Sequence, residues 1–259
     1  LALLADAGHN VSVVLGLALA WGASYLTQRQ ATDRRTYGWR KSTILAALFN
    51  AIILMVAIGG LGWEAVRRLG TPSHVPGTTI IWVAAVGVVI NGITAGMFMS
   101  GRKSDLNIRG AFVHMAADTA VSAGVVVAGI GILLAGWQWL DSATSLIIAV
   151  IIFIGTWGLF KDAFNLALDA VPRNIDGGHV RDYLSALPGV LQVHDLHIWG
   201  MSTTEVALTA HLVKPDVRDD DHLIAEIEDT LRRRFGIGHI TIQWERNAST
   251  LNCEGSCED

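Results

Sequence analysis

Cysteine is nearly absent from this chain, with 2 among 259 residues. So few thiols exclude a disulfide scaffold. Charge is also scarce: 16% of residues carry it, where a soluble domain averages about 25%. There is no basic surplus, since 19 Lys and Arg stand against 23 acids for a net charge of −4. That excludes a nucleic-acid-binding domain, which would be basic. A hydrophobic share of 51% excludes a disordered chain. The scarcity of charge is uneven. Residues 1–160 hold 6 acidic and 10 basic residues, and residues 161–259 hold 17 acidic and 9 basic. A single uniform soluble globule does not have that split. The expected organisation is a membrane domain over 1–160 followed by a soluble domain over 161–259.

A span needs about 20 mostly apolar residues. Residues 42–63, 78–100 and 142–160 are free of charge. Residues 110–140 are apolar apart from His114 and Asp118, and residues 1–25 apart from Asp6 and His9. Five spans are therefore predicted. The first is not a signal peptide, because it lacks a basic leading region. With no Met before Leu1, a preceding segment is expected. Basic residues orient the spans. Arg29, Arg34, Arg35, Arg40 and Lys41 lie in one connection, and Arg102, Lys103 and Arg109 in another. The alternate connections carry Arg67 and Arg68, and none. The first two connections are thus cytoplasmic, and so is everything after residue 160. Cys253 and Cys257 then lie in a reducing compartment, where a disulfide is not expected.

The tail reads as a small domain. A helix over 177–187 ends at Pro188-Gly189. Strands follow over 191–200 and 204–213. Asp219, Asp220 and Asp221 open a second helix that closes on Arg232–Arg234 and reaches Phe235, as the helix dipole favours. A last strand runs from His239 to Glu245. The order αββαβ predicts a two-layer α+β domain.

Ionisable groups inside a span are costly and mark candidate sites. His114 and Asp118 are four apart and share a helix face. Asp6 and His9 are three apart and do likewise. Imidazole with carboxylate suits a borderline divalent ion such as zinc. The competing reading is an Asp–His hydrogen bond between helices. Asn50 and Asn91 read as interhelical hydrogen-bonding residues, and Asp141 as a helix N-cap.

Four stretches carry a resemblance: LALLADAGHN, RRTYGWRKSTILAALFN, LNIRGAFVHMAAD and VHDLHIW. Together they resemble the cation diffusion facilitator family, in its bacterial zinc, cadmium and cobalt efflux branch. The resemblance runs over essentially the whole chain. It implies six transmembrane helices, five of them visible here as helices 2–6, and a cytoplasmic metallochaperone-like domain. It also implies a homodimer in the bacterial inner membrane that exchanges a divalent metal for protons.

The family's transport site pairs HxxxD on its second helix with HxxxD on its fifth. The fifth-helix motif is intact as His114 and Asp118. The second begins at His9, but Val13 stands where the acid belongs. Three implied ligands remain: His9, His114 and Asp118. A water or anion would fill the fourth position, or Asp6 would contribute from one turn earlier although its family counterpart is not a ligand, or the site is impaired.

In the tail, the resemblance assigns His194, His211 and Glu245 to a cytoplasmic metal site, with His222 as a further ligand. It pairs His239 with Cys253 and Cys257 in a second site, whose thiolate–imidazole set is well suited to zinc. His179 and His197 read as surface or core histidines, His74 as a loop residue, and Asp219–Asp221 as a solvated helix start. The expected function is zinc/proton antiport, with cadmium, cobalt or nickel as other cargoes. Manganese fits less well, since it prefers harder oxygen ligands. The alternative is a non-transporting or impaired metal-binding protein on the same scaffold. No nucleophile accompanies the ligands, so an enzyme is not expected.

Overall fold

The structure is a computed structural model, and it describes residues 16, 18–70, 77–100, 106–216 and 221–247. Residues 18–27 are helical (α1). Four long helices follow: α2 (Ser42–Gly70), α3 (Gly77–Phe98), α4 (Leu106–Ala135) and α5 (Trp139–Ala167). After them come α6 (Gly177–Ser185), β1 (Gln192–Gly200), β2 (Val206–Val213), α7 (Asp221–Phe235) and β3 (His239–Glu245). The αββαβ order of the tail is the predicted one.

Four helices among the described residues are long and apolar enough to cross a membrane. They carry apolar side chains all round, the pattern of helices surrounded by lipid. Trp82, Met97, Leu134 and Ile154 are among the large apolar residues they leave exposed. The first predicted span lies mostly outside the described residues. Both α2 and α5 have 29 residues, about 43 Å at about 1.5 Å per residue. That exceeds a hydrocarbon core of about 30 Å, which is why each outruns its charge-free stretch. Helix α5 passes through residue 160, the predicted domain boundary, and ends only at Ala167. Its start at Trp139 corrects the expectation for Asp141, which sits in the first turn rather than at the N-cap. The helix dipole favours an acid at either position. Asp141 is also buried.

The chain forms two compact units. One is built on Ala51–Trp157; the other joins Gly16–Asn50 to the chain from Gly158 onward. In the first unit, Ile80 and Ala84 of α3 pack with Val125 and Ile132 of α4 and Ile148 of α5. Leu54 and Ile58 of α2 pack with Ala149 of α5. Close approach of α3 and α4 depends on glycine. A Cβ on Gly129 would lie 2.7 Å from Ile81 Cγ1 and 3.5 Å from the Gly77 carbonyl oxygen. Small residues serve helix association in membranes in this way.

In the second unit, β1, β2 and β3 form one sheet in that order, with β1–β2 antiparallel and β2–β3 parallel. Val180 and Leu184 of α6 and Ile227 and Leu231 of α7 pack with Val206, Leu208, Ala210 and Leu212 of β2. Alternation along a strand puts residues 209 and 211 on the opposite face. Helix α6 is capped by Asp176, whose Oδ1 accepts from the Gly178 and His179 amides at 2.9 and 3.2 Å. It ends at Ser185, two residues before the predicted end, and Gly189 makes the following turn with φ 80°.

Candidate metal centres

Strand register builds the cytoplasmic cluster. His194 of β1 stands directly opposite His211 of β2. On β3, Glu245 stands opposite Val213, two positions beyond the partner of His211. A period of two leaves all three on one sheet face. Glu245 Oε2 is 3.1 Å from His194 Nε2, and Glu245 Oε1 is 3.1 Å from His211 Nδ1. The two rings lie 5.2 Å apart, nearly perpendicular. One donor atom from each residue falls within 4.8 Å of the others. Metal–ligand bonds of about 2.0–2.2 Å in a tetrahedron separate neighbouring donors by about 3.3 Å. The spacing and the two-nitrogen, one-oxygen donor set both fit a zinc-like ion, with one position left for water or a further residue.

A second feature escaped the sequence reading. The register slips between His194 and His197, so that three steps on β1 match two on β2. This β-bulge puts Asp195 in the left-handed region at φ 51°, a conformation that Asp adopts more readily than most residues. The added residue also switches the parity of the strand. Val193 and Ile198 both face the core, and His197 comes opposite Thr209 on the face of His211. Asp195 Oδ1 lies 2.9 Å from His197 Nε2, and its Oδ2 lies 3.5 Å from His211 Nε2. His211 thus has a carboxylate at each ring nitrogen. Of the two placements expected for His197, surface or core, the structure has the surface one, yet the ring is paired with Asp195. Only a backbone feature reveals this arrangement, and nothing local in VHDLHIW encodes a bulge.

The other candidates are more dispersed. His222 is exposed on α7 and outside the cluster among the described residues. His239 is exposed at the start of β3 and meets the Tyr37 ring edge-on at 5.6 Å. Cys253 and Cys257 lie outside the described residues, as do His9, Asp6, Val13 and His74. His179 is exposed beside its cap, Nδ1 lying 3.5 Å from Asp176 Oδ2. In the first unit, Asp118 is buried on α4 with 4% exposure. The backbone of α4 is helical through His114, so helical spacing puts positions 114 and 118 on one face.

Comparison with known proteins accounts for both halves of the chain. The family model for the cation efflux transmembrane domain matches residues 1–166. That for the cytoplasmic domain of cation efflux proteins matches residues 172–247. The chain is 37% identical over 246 residues to "Metal cation efflux system protein CzcD" of Cupriavidus metallidurans, covering 95% of this chain and 78% of that protein. It is 34% identical over 253 residues to "Cadmium, cobalt and zinc/H(+)-K(+) antiporter" of Bacillus subtilis, covering 96% and 81%. To "Zinc transporter ZitB" of Escherichia coli it is 33% identical over 247 residues, covering 95% and 79%.

Proposed function

Because this chain belongs to the cation efflux family, we propose that it exports zinc across the membrane in exchange for protons. It is a multi-pass membrane transporter of divalent metal cations with a cytoplasmic C-terminal domain. The observation that carries the proposal is Asp118, an acid buried at 4% exposure within an apolar helix, one turn beyond His114. A group so expensive to bury is kept for the ion it handles.

In the proposed cycle, cytosolic metal displaces protons from His9, His114 and Asp118. A metal ligand must be deprotonated, so loading releases protons. With the site open to the far side, protons compete the metal off and the protonated site returns. Histidine is suited to this exchange because it titrates near neutrality. Cadmium, cobalt and nickel suit the same donor set. In the cytoplasmic domain, His194, His211 and Glu245 would hold a divalent ion that tunes transport and steadies a homodimer. His222 would add a ligand there, and His239 would serve a second site with Cys253 and Cys257.

The test is flux in proteoliposomes carrying an internal pH indicator. Zinc added to one side should drive counter-movement of protons, and zinc transport with no pH response would overturn antiport. A second reading rests on Val13. Valine cannot bind a metal, so a chain that binds zinc without moving it would be a sensor on a transporter scaffold.

A further inference from the structure

A cavity of about 330 Å³ lies in the second unit, away from the metal cluster. The loop between α1 and α2 supplies most of its wall, and Met201 and His239 supply the rest. Its polar lining includes Arg29, Arg40, Gln30, Thr27 and Thr36, and no acidic residue. Arg40 is engaged by Glu205 Oε2 at 3.0 Å. Arg29 makes no ion pair among the described residues.

The loop is a built structure. Thr32 and Arg35 exchange backbone hydrogen bonds of 3.0 and 2.8 Å. Gly38 donates to the Arg35 carbonyl at 2.9 Å and turns the chain at φ 68°. A Cβ there would meet the Arg29 carbonyl oxygen at 3.4 Å. Residues 27–41 hold five basic residues and one acid. Lys41 is taken by Asp169, with Nζ–Oδ distances of 2.7 and 2.9 Å. Arg35 stacks on Trp39, its guanidinium carbon 3.9 Å from the ring centroid.

The cavity also lies at the ends of two apolar helices. Thr27 closes α1, and Ser42 opens α2. Trp21 and Tyr25 are exposed and stacked on α1, as aromatic residues are at a membrane–water interface. The Thr27 hydroxyl donates to the Ser24 carbonyl at 2.7 Å. That leaves the Thr36 hydroxyl, the Gln30 amide, the His239 imidazole and the Arg29 guanidinium, unpaired among the described residues, to line a donor-bearing pocket. Basic pockets of this kind on the cytoplasmic side hold lipid phosphates, and guanidinium matches phosphate geometry.

We propose that this cavity binds a phosphate group, that of an anionic phospholipid headgroup or of free inorganic phosphate, with Arg29 as its principal cation. The bound anion would tie the α1–α2 loop to His239 at the start of β3.

The test uses the full chain, purified and delipidated, in native mass spectrometry with titrated phosphatidylglycerol or phosphatidylcholine. The chain should retain phosphatidylglycerol over phosphatidylcholine. Arg29→Gln should lower that retention about fivefold, the scale of one cation at a lipid surface. Arg34→Gln, which changes the same net charge outside the cavity, should leave it near the starting value. A parallel thermal melt in detergent compares inorganic phosphate with chloride. Stabilisation by phosphate that is lost in Arg29→Gln makes soluble phosphate the ligand; retention of phosphatidylglycerol without it makes the lipid the ligand. Equal losses in the two variants would reduce the effect to general surface charge and overturn the site. If Arg29→Gln does not fold, equal retention of the two lipids by the parent chain, with no phosphate stabilisation, overturns it equally.

Discussion

Asp195 Oδ2 stands 3.5 Å from Nε2 of His211, whose Nδ1 lies 3.1 Å from Glu245 Oε1. One imidazole is therefore held between two carboxylates. With a metal beside Glu245 on Nδ1, Asp195 would stand where it could accept a hydrogen bond from Nε2–H. Such outer carboxylates fix the tautomer and orientation of a ligating histidine.

The first prediction is for Asp195→Asn. Asn tolerates the left-handed backbone at this position, so the bulge should survive. The variant should bind zinc about 10–100-fold more weakly at the cytoplasmic site, the usual cost of losing an outer partner. Calorimetric titration measures it, and Asp195→Ser should fail to rescue. Cobalt titration should show an altered visible spectrum, which a purely structural role would not produce. Parental affinity together with a parental cobalt spectrum would remove Asp195 from the site.

Glu245→Gln removes the carboxylate that both histidines face. One equivalent of bound metal should be lost from the cytoplasmic domain. Saturating zinc, at about 100 times its dissociation constant, should stabilise the parent by about 2.7 kcal/mol. In the variant, the thermal shift from that cytoplasmic site should largely disappear. Lowering the pH should weaken metal binding in the parent, because protons compete for two imidazoles and a carboxylate. A metal-induced shift that survives Glu245→Gln intact would place the ion elsewhere.

Val13→Asp restores the acid of the family's second-helix motif. If the missing carboxylate limits transport, zinc flux in proteoliposomes should rise several-fold, and apparent affinity should rise with it. The same flux in both forms would favour a three-ligand site or help from Asp6. Binding without flux in either form would favour the sensor.

Gly129→Val puts a branched side chain where even a Cβ would be 2.7 Å from Ile81 Cγ1. Overpacking of this kind costs about 1–3 kcal/mol. The variant should melt at lower temperature, while Gly124→Val, at a position with nothing within 4 Å, should change little. Equal melting temperatures would mean that α3 and α4 part easily.

Much of the architecture follows from local pattern alone. Apolar runs without charge specify spanning helices, because lipid offers no partner for a backbone polar group. The arginines of residues 27–41 orient them. Turn residues and alternation specify αββαβ, since both act within a few residues. Helix lengths were less legible: α2 and α5 continue past their apolar stretches into polar sequence that favours no stop.

The metal cluster was legible only through family resemblance. His194 and Glu245 are 51 residues apart, and no periodicity joins them. Two decisions belong to the tertiary structure. Pairing of β1 with β2 inserts a bulge, which brings Asp195 and His197 round to His211. Folding of the α1–α2 loop into the unit that contains β1 and β3 sets Arg29 and His239 around one cavity. Both depend on backbone register and loop closure between distant segments, which side-chain pattern along one segment does not specify.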